Sequence, residues 1–246
     1  MVLLVAMSGV AVGAFLNVVI DRVPHKVPLR GARDGEASAP VLWIGVPAQP
    51  WLLRGRRATG VELPRRWLWV ELATAAVFAA LAARFDGSEL VPVLVLGASL
   101  VAVSVIDLQL LRIPDRVTFP TLAVAVPLIV VVSLQRDQAD AIRGAAIGCA
   151  TYFLLLLLPH LAYPRGMGFG DVKLAIVMGL YLGWVGWSDD LPVAGPVRLV
   201  LYGLMLGCVL GVVFGLLSRL VTRRKGEFPF GPALAAACLV VVLAAA

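Results

Sequence analysis

The chain has 246 residues and is 61% hydrophobic and 15% charged, with a mean hydropathy of +0.95 and a formal net charge of +6. Soluble domains are about half apolar and about a quarter charged, so this composition excludes an ordinary soluble domain. It predicts an all-α, polytopic membrane helical bundle.

Eight apolar stretches are candidate transmembrane helices, each of which needs about 20 mostly apolar residues. They lie at approximately residues 2–20, 67–84, 90–106, 117–134, 142–163, 172–187, 198–218 and 229–246. No positively charged segment precedes the first stretch, so we interpret it as a retained span and not as a cleaved signal peptide. The spans are predicted to form a single membrane-embedded domain over residues 1–246.

The distribution of basic residues predicts how the spans are oriented. Seventeen of the 21 Lys and Arg residues fall in the odd-numbered connections, and nine of these are in the connection at residues 21–66. By the positive-inside rule these connections are cytoplasmic, and residues 21–66 form a cytoplasmic loop. The net positive charge of the chain is thus explained mostly by its cytoplasmic connections. No aromatic-interleaved basic groove accompanies it, so we expect no nucleic-acid partner.

Glycines recur every four residues in the seventh span, at Gly203, Gly207, Gly211 and Gly215. This spacing presents a smooth face for close helix packing, either within the bundle or between two copies of the chain. The three cysteines of the chain lie inside apolar runs and form no C-x-x-C pair. They therefore indicate neither a disulfide framework nor a metal site.

Two aspartates are the first candidates for chemistry, because ionisable residues at membrane depth are costly. Asp107 ends the third predicted span, and Asp171 ends a glycine-rich segment that opens the sixth. The predicted topology places both on the cytoplasmic side, where carboxyls on separate helices can converge. Such a pair tends to share one proton, so one member can take a proton from a water while the other donates to a carbonyl oxygen. This is the chemistry of an aspartic protease.

The segment GMGFGDVKL at residues 166–174 surrounds the second aspartate. Gly168 and Gly170 lack Cβ atoms, so we expect a sharp turn and a close approach to a peptide substrate. The plainer alternative is an interfacial turn in which Asp171 is a favourable charge near a helix N-terminus. Lys173 follows, either as part of this active-site loop, adjusting the electrostatics of the aspartates, or as a lysine that snorkels to the membrane surface.

Five stretches of the chain resemble, in order, the motifs of the type IV prepilin peptidases, which are membrane aspartic proteases. They are GAFLNVVIDRVP at 13–24, PWLLRGRRATGVELPRRWLWVELATA at 50–75, IDLQLLRIPDRVTFP at 106–120, GMGFGDVKLA at 166–175 and PFGPALAAA at 229–237. The resemblance implies that Asp107 and Asp171 are the catalytic aspartates, and Gly168 and Gly170 match the glycines of the G-x-G-D motif. Asp115 also matches a family position, and we interpret it as a turn or helix-start residue after Pro114.

The chain departs from this family in its first loop. Many members carry two C-x-x-C pairs there, interpreted as a zinc site, whereas residues 21–66 contain no cysteine. We therefore expect no zinc. Many members also N-methylate the new N-terminus with S-adenosylmethionine, an activity that we do not assign from this sequence. Proteolysis by two aspartates requires no cofactor.

The resemblance implies an inner-membrane, multi-pass endopeptidase that cleaves the basic leader from type IV prepilins or pilin-like secretion subunits. Its active site would face the cytoplasm, and its partners would be those substrates and membrane lipid. The alternative is a proton- or cation-coupled transporter that uses the same aspartate pair, since intramembrane acids also suit that role. The inverted repeats common in transporters are not visible in the sequence.

Overall fold

The computed structural model of the chain describes residues 1–24, 66–164, 167–222 and 229–246. These residues form eight α-helices and no strand, which confirms the all-α prediction. A short 3₁₀ turn, Gly87–Glu89, precedes the third helix. The helices are α1 Val2–Arg22, α2 Arg66–Ala82, α3 Leu90–Leu110, α4 Asp115–Gln135, α5 Ala141–Ala162, α6 Phe169–Val185, α7 Ala194–Thr222 and α8 Gly231–Ala245.

Each predicted span corresponds to one of these helices. Five of the described helices are long and apolar enough to cross a membrane, namely α1, α3 with its preceding turn, α4, α5 and most of α7. The helices α2 and α6 have 17 residues and α8 has 15, near the lower end of the range of about 17–25 for a span. The chain is a polytopic helical membrane protein.

The helices α3 and α6 carry the candidate aspartates, and each extends beyond its predicted end on the side of the aspartate. The helix α3 continues to Leu110, so Asp107 lies inside its last turn and not at its end. The helix α6 begins at Phe169, so Asp171 lies in its first turn and not on the preceding loop. The predictions placed these ends where the apolar runs stop, whereas the helical hydrogen bonds continue through the polar residues.

The chain divides into two compact units, Met1–Ala83 and Arg84–Ala246. In the first unit, α1 and α2 pack with their backbones close together. A Cβ atom added at Gly9 would lie 2.8 Å from the Cα of Ala75, and one added at Gly13 would lie 2.6 Å from the Cα of Glu71. Contacts that advance along α1 recede along α2, so the two helices are antiparallel.

Polar groups join the same two helices next to the connecting segment. The side-chain amide of Asn17 donates to the backbone carbonyl of Trp67 at 3.0 Å, an interhelical hydrogen bond. The indole N–H of Trp67 donates to Asp21 at 3.2 Å, and Asp21 also pairs with Arg66. Residues on the two sides of the segment 25–65 are therefore linked directly.

In the second unit, α6 packs against α3, α4, α5, α7 and α8. Its closest contact is with α5, where glycines face each other. A Cβ added at Gly148 would lie 2.3 Å from the carbonyl oxygen of Gly179, and one added at Gly183 would lie 2.2 Å from that of Gly144. Direct backbone contact of this kind requires small residues four positions apart on both helices. These glycines were not singled out from the sequence, although their four-residue spacing is visible there.

The glycines of α7 pack against helices of the same unit. A Cβ added at Gly207 would lie 2.7 Å from Leu234, and one added at Gly211 would lie 2.6 Å from Phe230. Both partners belong to the α8 segment, and Gly203 faces α6. At these three positions the structure supports packing within the bundle, the first of the two alternatives for this glycine repeat.

Candidate active site

Asp107 lies in the last turn of α3 with only 5% of its surface exposed. The helix ends just beyond it at Leu111, which has a left-handed conformation with φ of 51°. The Oδ2 atom of Asp107 accepts a hydrogen bond of 3.0 Å from the backbone N–H of Gly231, the first residue of α8. The carboxylate thus lies at the positive end of the α8 dipole.

Asp171 lies in the first turn of α6 with 9% of its surface exposed. Its backbone N–H donates to the carbonyl of Gly168 at 3.1 Å, which closes the first turn. A carboxylate in this position is favoured by the partial positive charge of the helix N-terminus. The plainer interpretation of Asp171, a favourable charge at a helix start, therefore describes its local environment correctly.

The two aspartates lie on helices that contact each other, α3 and α6. Their carboxyl groups interact electrostatically, although they belong to different helices and are separated by more than 60 positions in sequence. Both are buried, so water screens their interaction only weakly. Two carboxyls in this situation do not both ionise easily, which is the physical basis for sharing a proton.

The two glycines of the G-x-G-D segment do not form the expected sharp turn. Gly168 has φ of −65° and ψ of 139°, a conformation that any residue adopts, and Gly170 is part of α6. The lack of a side chain matters instead at Gly170, where an added Cβ would lie 3.0 Å from the Cβ of Ile113. The expectation of a sharp turn was wrong because the helix begins two residues before the aspartate.

Lys173 connects two helices beside the aspartates. Its Nζ lies 2.6 and 2.8 Å from the two carboxylate oxygens of Asp115. It also lies 5.0 Å from the ring centroid of Phe169 and 5.7 Å from that of Phe119, distances typical of cation–π contacts. Lys173 therefore pairs with a neighbouring helix. Asp115 is the first residue of α4, as predicted.

A histidine holds the chain that enters α6. The Nδ1 of His160 is 2.9 Å from the carbonyl oxygen of Met167, which can only accept, so this nitrogen carries the proton in that contact. The His160 ring also lies 5.3 Å from the ring of Phe169, centroid to centroid. Residues 165–166 lie outside the described part of the chain.

Two residues near the aspartates were not singled out from the sequence. Gly231 donates to Asp107, and the signal that could have identified it is the PFGPALAAA stretch. Tyr152 on α5 is fully buried, interacts electrostatically with Asp171, and has a hydroxyl with no hydrogen-bond partner in the described structure. No sequence pattern marks Tyr152.

The described residues contain no group of three or more His, Cys, Asp or Glu side chains that could hold a metal ion. The loop at residues 21–66, for which we expect no zinc, lies mostly outside the described residues. A cavity of about 530 Å³ is lined by Glu89, Asp140, Trp184, Trp187 and neighbours. Trp184 is 13 residues along α6 from Asp171, or about 20 Å at 1.5 Å per residue, so this cavity is remote from the aspartates.

Comparison with known proteins gives consistent matches. A model described as the type IV leader peptidase family matches residues 94–216, which include both aspartates. A second model, described as the bacterial peptidase A24 N-terminal domain, matches residues 7–85. No solved structure matches the chain.

Individual relatives agree with these models. A protein of Xanthomonas campestris named prepilin leader peptidase/N-methyltransferase is 30% identical to this chain, over 95% of this chain and 88% of the relative. A protein of the same name from Burkholderia pseudomallei is 31% identical, over 93% of this chain and 80% of the relative. A protein of the same name in Myxococcus xanthus is 34% identical over 72% of this chain, which is 54% of that relative.

Proposed function

This chain belongs to the type IV leader peptidase family, and from that premise we propose that it is an aspartic endopeptidase that removes the basic leader from type IV prepilins or pilin-like secretion subunits. The observation that carries the proposal is the pair of buried, interacting carboxyls of Asp107 and Asp171 at the ends of two helices. A hydrolase needs such a pair to supply a base and an acid at the same place.

In the proposed mechanism Asp107 and Asp171 share one proton. The ionised carboxylate takes a proton from a water, and the water oxygen bonds to the scissile carbonyl carbon. The protonated carboxyl gives its proton to the carbonyl oxygen, which produces a neutral tetrahedral intermediate. When the intermediate collapses, one of its hydroxyls gives its proton to the carboxylate that is then ionised, the C–N bond breaks, and the leaving nitrogen takes the proton of the other carboxyl, so the pair again shares one proton. Either aspartate can start as the base.

The basic-residue distribution supports a cytoplasmic position for this chemistry in the inner membrane. A substrate with a basic leader and an apolar helix would then place the helix in the membrane and the leader at the cytoplasmic surface. We propose that the Gly168–Lys173 segment lines the path of the leader, with Gly170 packed close to the α3–α4 connection and Lys173 fixed by Asp115.

Proteolysis by this pair uses no cofactor. The relatives' name includes N-methyltransferase, an activity that depends on S-adenosylmethionine in this family. The new N-terminus would arise at Asp107 and Asp171, whereas the 530 Å³ cavity with acidic and aromatic lining lies about 20 Å away along α6. That cavity does not fit a methyl-donor site for this product, and no step is assigned to the donor.

The transporter alternative gains no support. Both family models and the named relatives concern peptidases. The aspartate pair is the one feature that the two functions share.

The proposal is tested by co-expressing the chain with a candidate prepilin and following the size of the prepilin on a gel. Asp107→Asn and Asp171→Asn keep the shape of each side chain but remove its ability to ionise. We expect each to lower the cleavage rate by at least about 10²-fold, the usual lower bound for loss of an acid or base. Asp140→Asn is the matched control, because Asp140 is exposed and pairs with Arg143.

Amounts of each variant in the membrane are compared by immunoblot. Wild type and Asp140→Asn should trim the prepilin, and the two site variants should not. If either site variant trims at the wild-type rate, that aspartate has no catalytic role. If the wild-type protein cleaves none of the prepilins encoded in the same genome, the assignment of prepilins as substrates is wrong.

A further inference from the structure

We propose that Gly231 is a positioning residue for the reaction. Its backbone N–H holds the Oδ2 atom of Asp107 and so fixes the orientation of the carboxyl that acts together with Asp171. This inference rests on the proposed peptidase function and adds α8 to the machinery that orients the site.

The contact is specific in geometry. The N–H of Gly231 donates to Oδ2 of Asp107 at 3.0 Å in a buried environment. The next residue, Pro232, has no N–H, and the N–H of Ala233 already donates to the carbonyl of Phe230 at 3.2 Å. In the first turn of α8, Gly231 is therefore the residue whose free donor reaches the aspartate. Among the described residues no other donor contacts this carboxylate.

Electrostatics favours a hydrogen-bond donor beside the Asp107 carboxyl. Asp107 lies in the last turn of α3, where the helix dipole presents its negative end and disfavours a carboxylate. The N-terminus of α8 presents the opposite partial charge to the same group. The Gly231 N–H thus compensates a location that would otherwise oppose ionisation of Asp107, while a charge-assisted hydrogen bond holds its orientation.

Only glycine leaves room for this arrangement. A Cβ added at residue 231 would lie 2.8 Å from Oδ2, 3.2 Å from Cγ and 3.4 Å from Cβ of Asp107. All three nearest atoms belong to the aspartate, so an alanine would push this one side chain and little else. A carboxylate can rotate away from a methyl group, which would break the hydrogen bond while the helices stay packed.

The test uses the full-length enzyme, purified in detergent, with a prepilin that wild type cleaves. We expect Gly231→Ala to lower kcat by about 10- to 100-fold, since a displacement near 1 Å of a reacting group can cost about 10²-fold. KM should stay within about threefold, because contacts with the leader and the apolar helix are unchanged. The Tm should fall no further than in the control.

Gly207→Ala is the matched control. It adds the same methyl group to the α7–α8 contact, where its Cβ would meet the Cδ2 atom of Leu234 at 2.7 Å, the mobile end of a side chain that does not contact residue 231's added Cβ. We expect Gly207→Ala to retain the wild-type kcat per folded molecule. A kcat within about threefold of wild type for Gly231→Ala, or equal losses in both variants, overturns the positioning role.

A second measurement applies if Gly231→Ala does not accumulate. Labelling with ¹⁵N-glycine and ¹³C-carbonyl phenylalanine selects the three Phe–Gly amides of the chain, one of which is that of Gly231. In Asp107→Ala one of the three proton resonances should move upfield, as expected for a lost hydrogen bond to a carboxylate. Three unmoved resonances overturn the proposal. Different results would overturn the proposed peptidase function: the wild-type protein does not cleave the prepilin, or the Asp107→Asn variant cleaves it.

Discussion

The contact between α5 and α6 supports a quantitative prediction for Gly148→Ala. The new Cβ would lie 2.3 Å from the carbonyl oxygen of Gly179, 2.5 Å from the Cα of Gly183 and 2.7 Å from its nitrogen. These atoms are backbone, so none can rotate away. An ordinary contact begins near 3.4 Å, so the two helices have to separate locally by about 1 Å.

That separation has a cost in stability. Inserting a methyl group into a close-packed interface costs about 1–3 kcal/mol. A gap of about 0.5–1 Å also forfeits a quarter to a half of the dispersion energy of the neighbouring contacts. For a protein of this size, about 2–4 °C of Tm corresponds to 1 kcal/mol, so the Tm should fall by about 2–12 °C.

The same separation affects the site, because α6 carries Asp171. A shift of about 1 Å in a reacting group can lower the rate about 10²-fold, so the cleavage rate per folded molecule should fall by about 10- to 100-fold. Thermal unfolding and prepilin cleavage are both measured on purified protein in one detergent. Ala150→Leu is the control, because Ala150 is exposed on the same helix and leucine favours helix formation. A Gly148→Ala variant with wild-type Tm and wild-type activity would refute the close backbone contact.

Three further substitutions test other features. Tyr152→Phe should raise stability by about 1 kcal/mol, because it removes a buried hydroxyl that has no partner in the described structure; a lower Tm would reveal a partner for that hydroxyl. Asp115→Asn should lower stability by less than about 1 kcal/mol, because the pair with Lys173 is partly exposed. Its cleavage rate should stay within about threefold of the wild-type rate. A loss near 10²-fold would instead make Asp115 part of the chemistry. Asp21→Asn breaks the pair with Arg66 and should lower the Tm by up to about 4 °C, which a thermal scan against Asp140→Asn would check.

The positions of the helices were predictable from the sequence, because the length of an apolar run is dictated by the thickness of the bilayer. The helix ends were not, since α3 and α6 continue through polar residues that a hydropathy pattern treats as loop. This error matters chemically, because it placed Asp171 on a flexible glycine segment, whereas the structure places it in a helical turn. The common depth of Asp107 and Asp171 in the membrane indicated that they can converge, but the sequence did not say how close the two carboxyls lie.

Contacts between distant parts of the chain could not be predicted in the same way. The pairing of Lys173 with Asp115 spans 58 positions, and nothing in the local sequence of either residue indicates the other. The glycines at 144, 148, 179 and 183 have a spacing typical of close helix contacts, yet the spacing does not say which helices meet. The burial of the Tyr152 hydroxyl could not be predicted either, because no local sequence pattern marks this residue.

The bond between Asp107 and Gly231 joins residues 124 positions apart, and this has a consequence for how the protein is made. Ribosomes synthesise the chain from its N-terminus, so α3 and α6 enter the membrane with both aspartates before α8 has been made. A growing chain therefore carries two acids without the donor that orients one of them. The site reaches its described geometry only after α8 has been inserted, so the biosynthetic machinery and nascent neighbouring helices meet an unfinished peptidase.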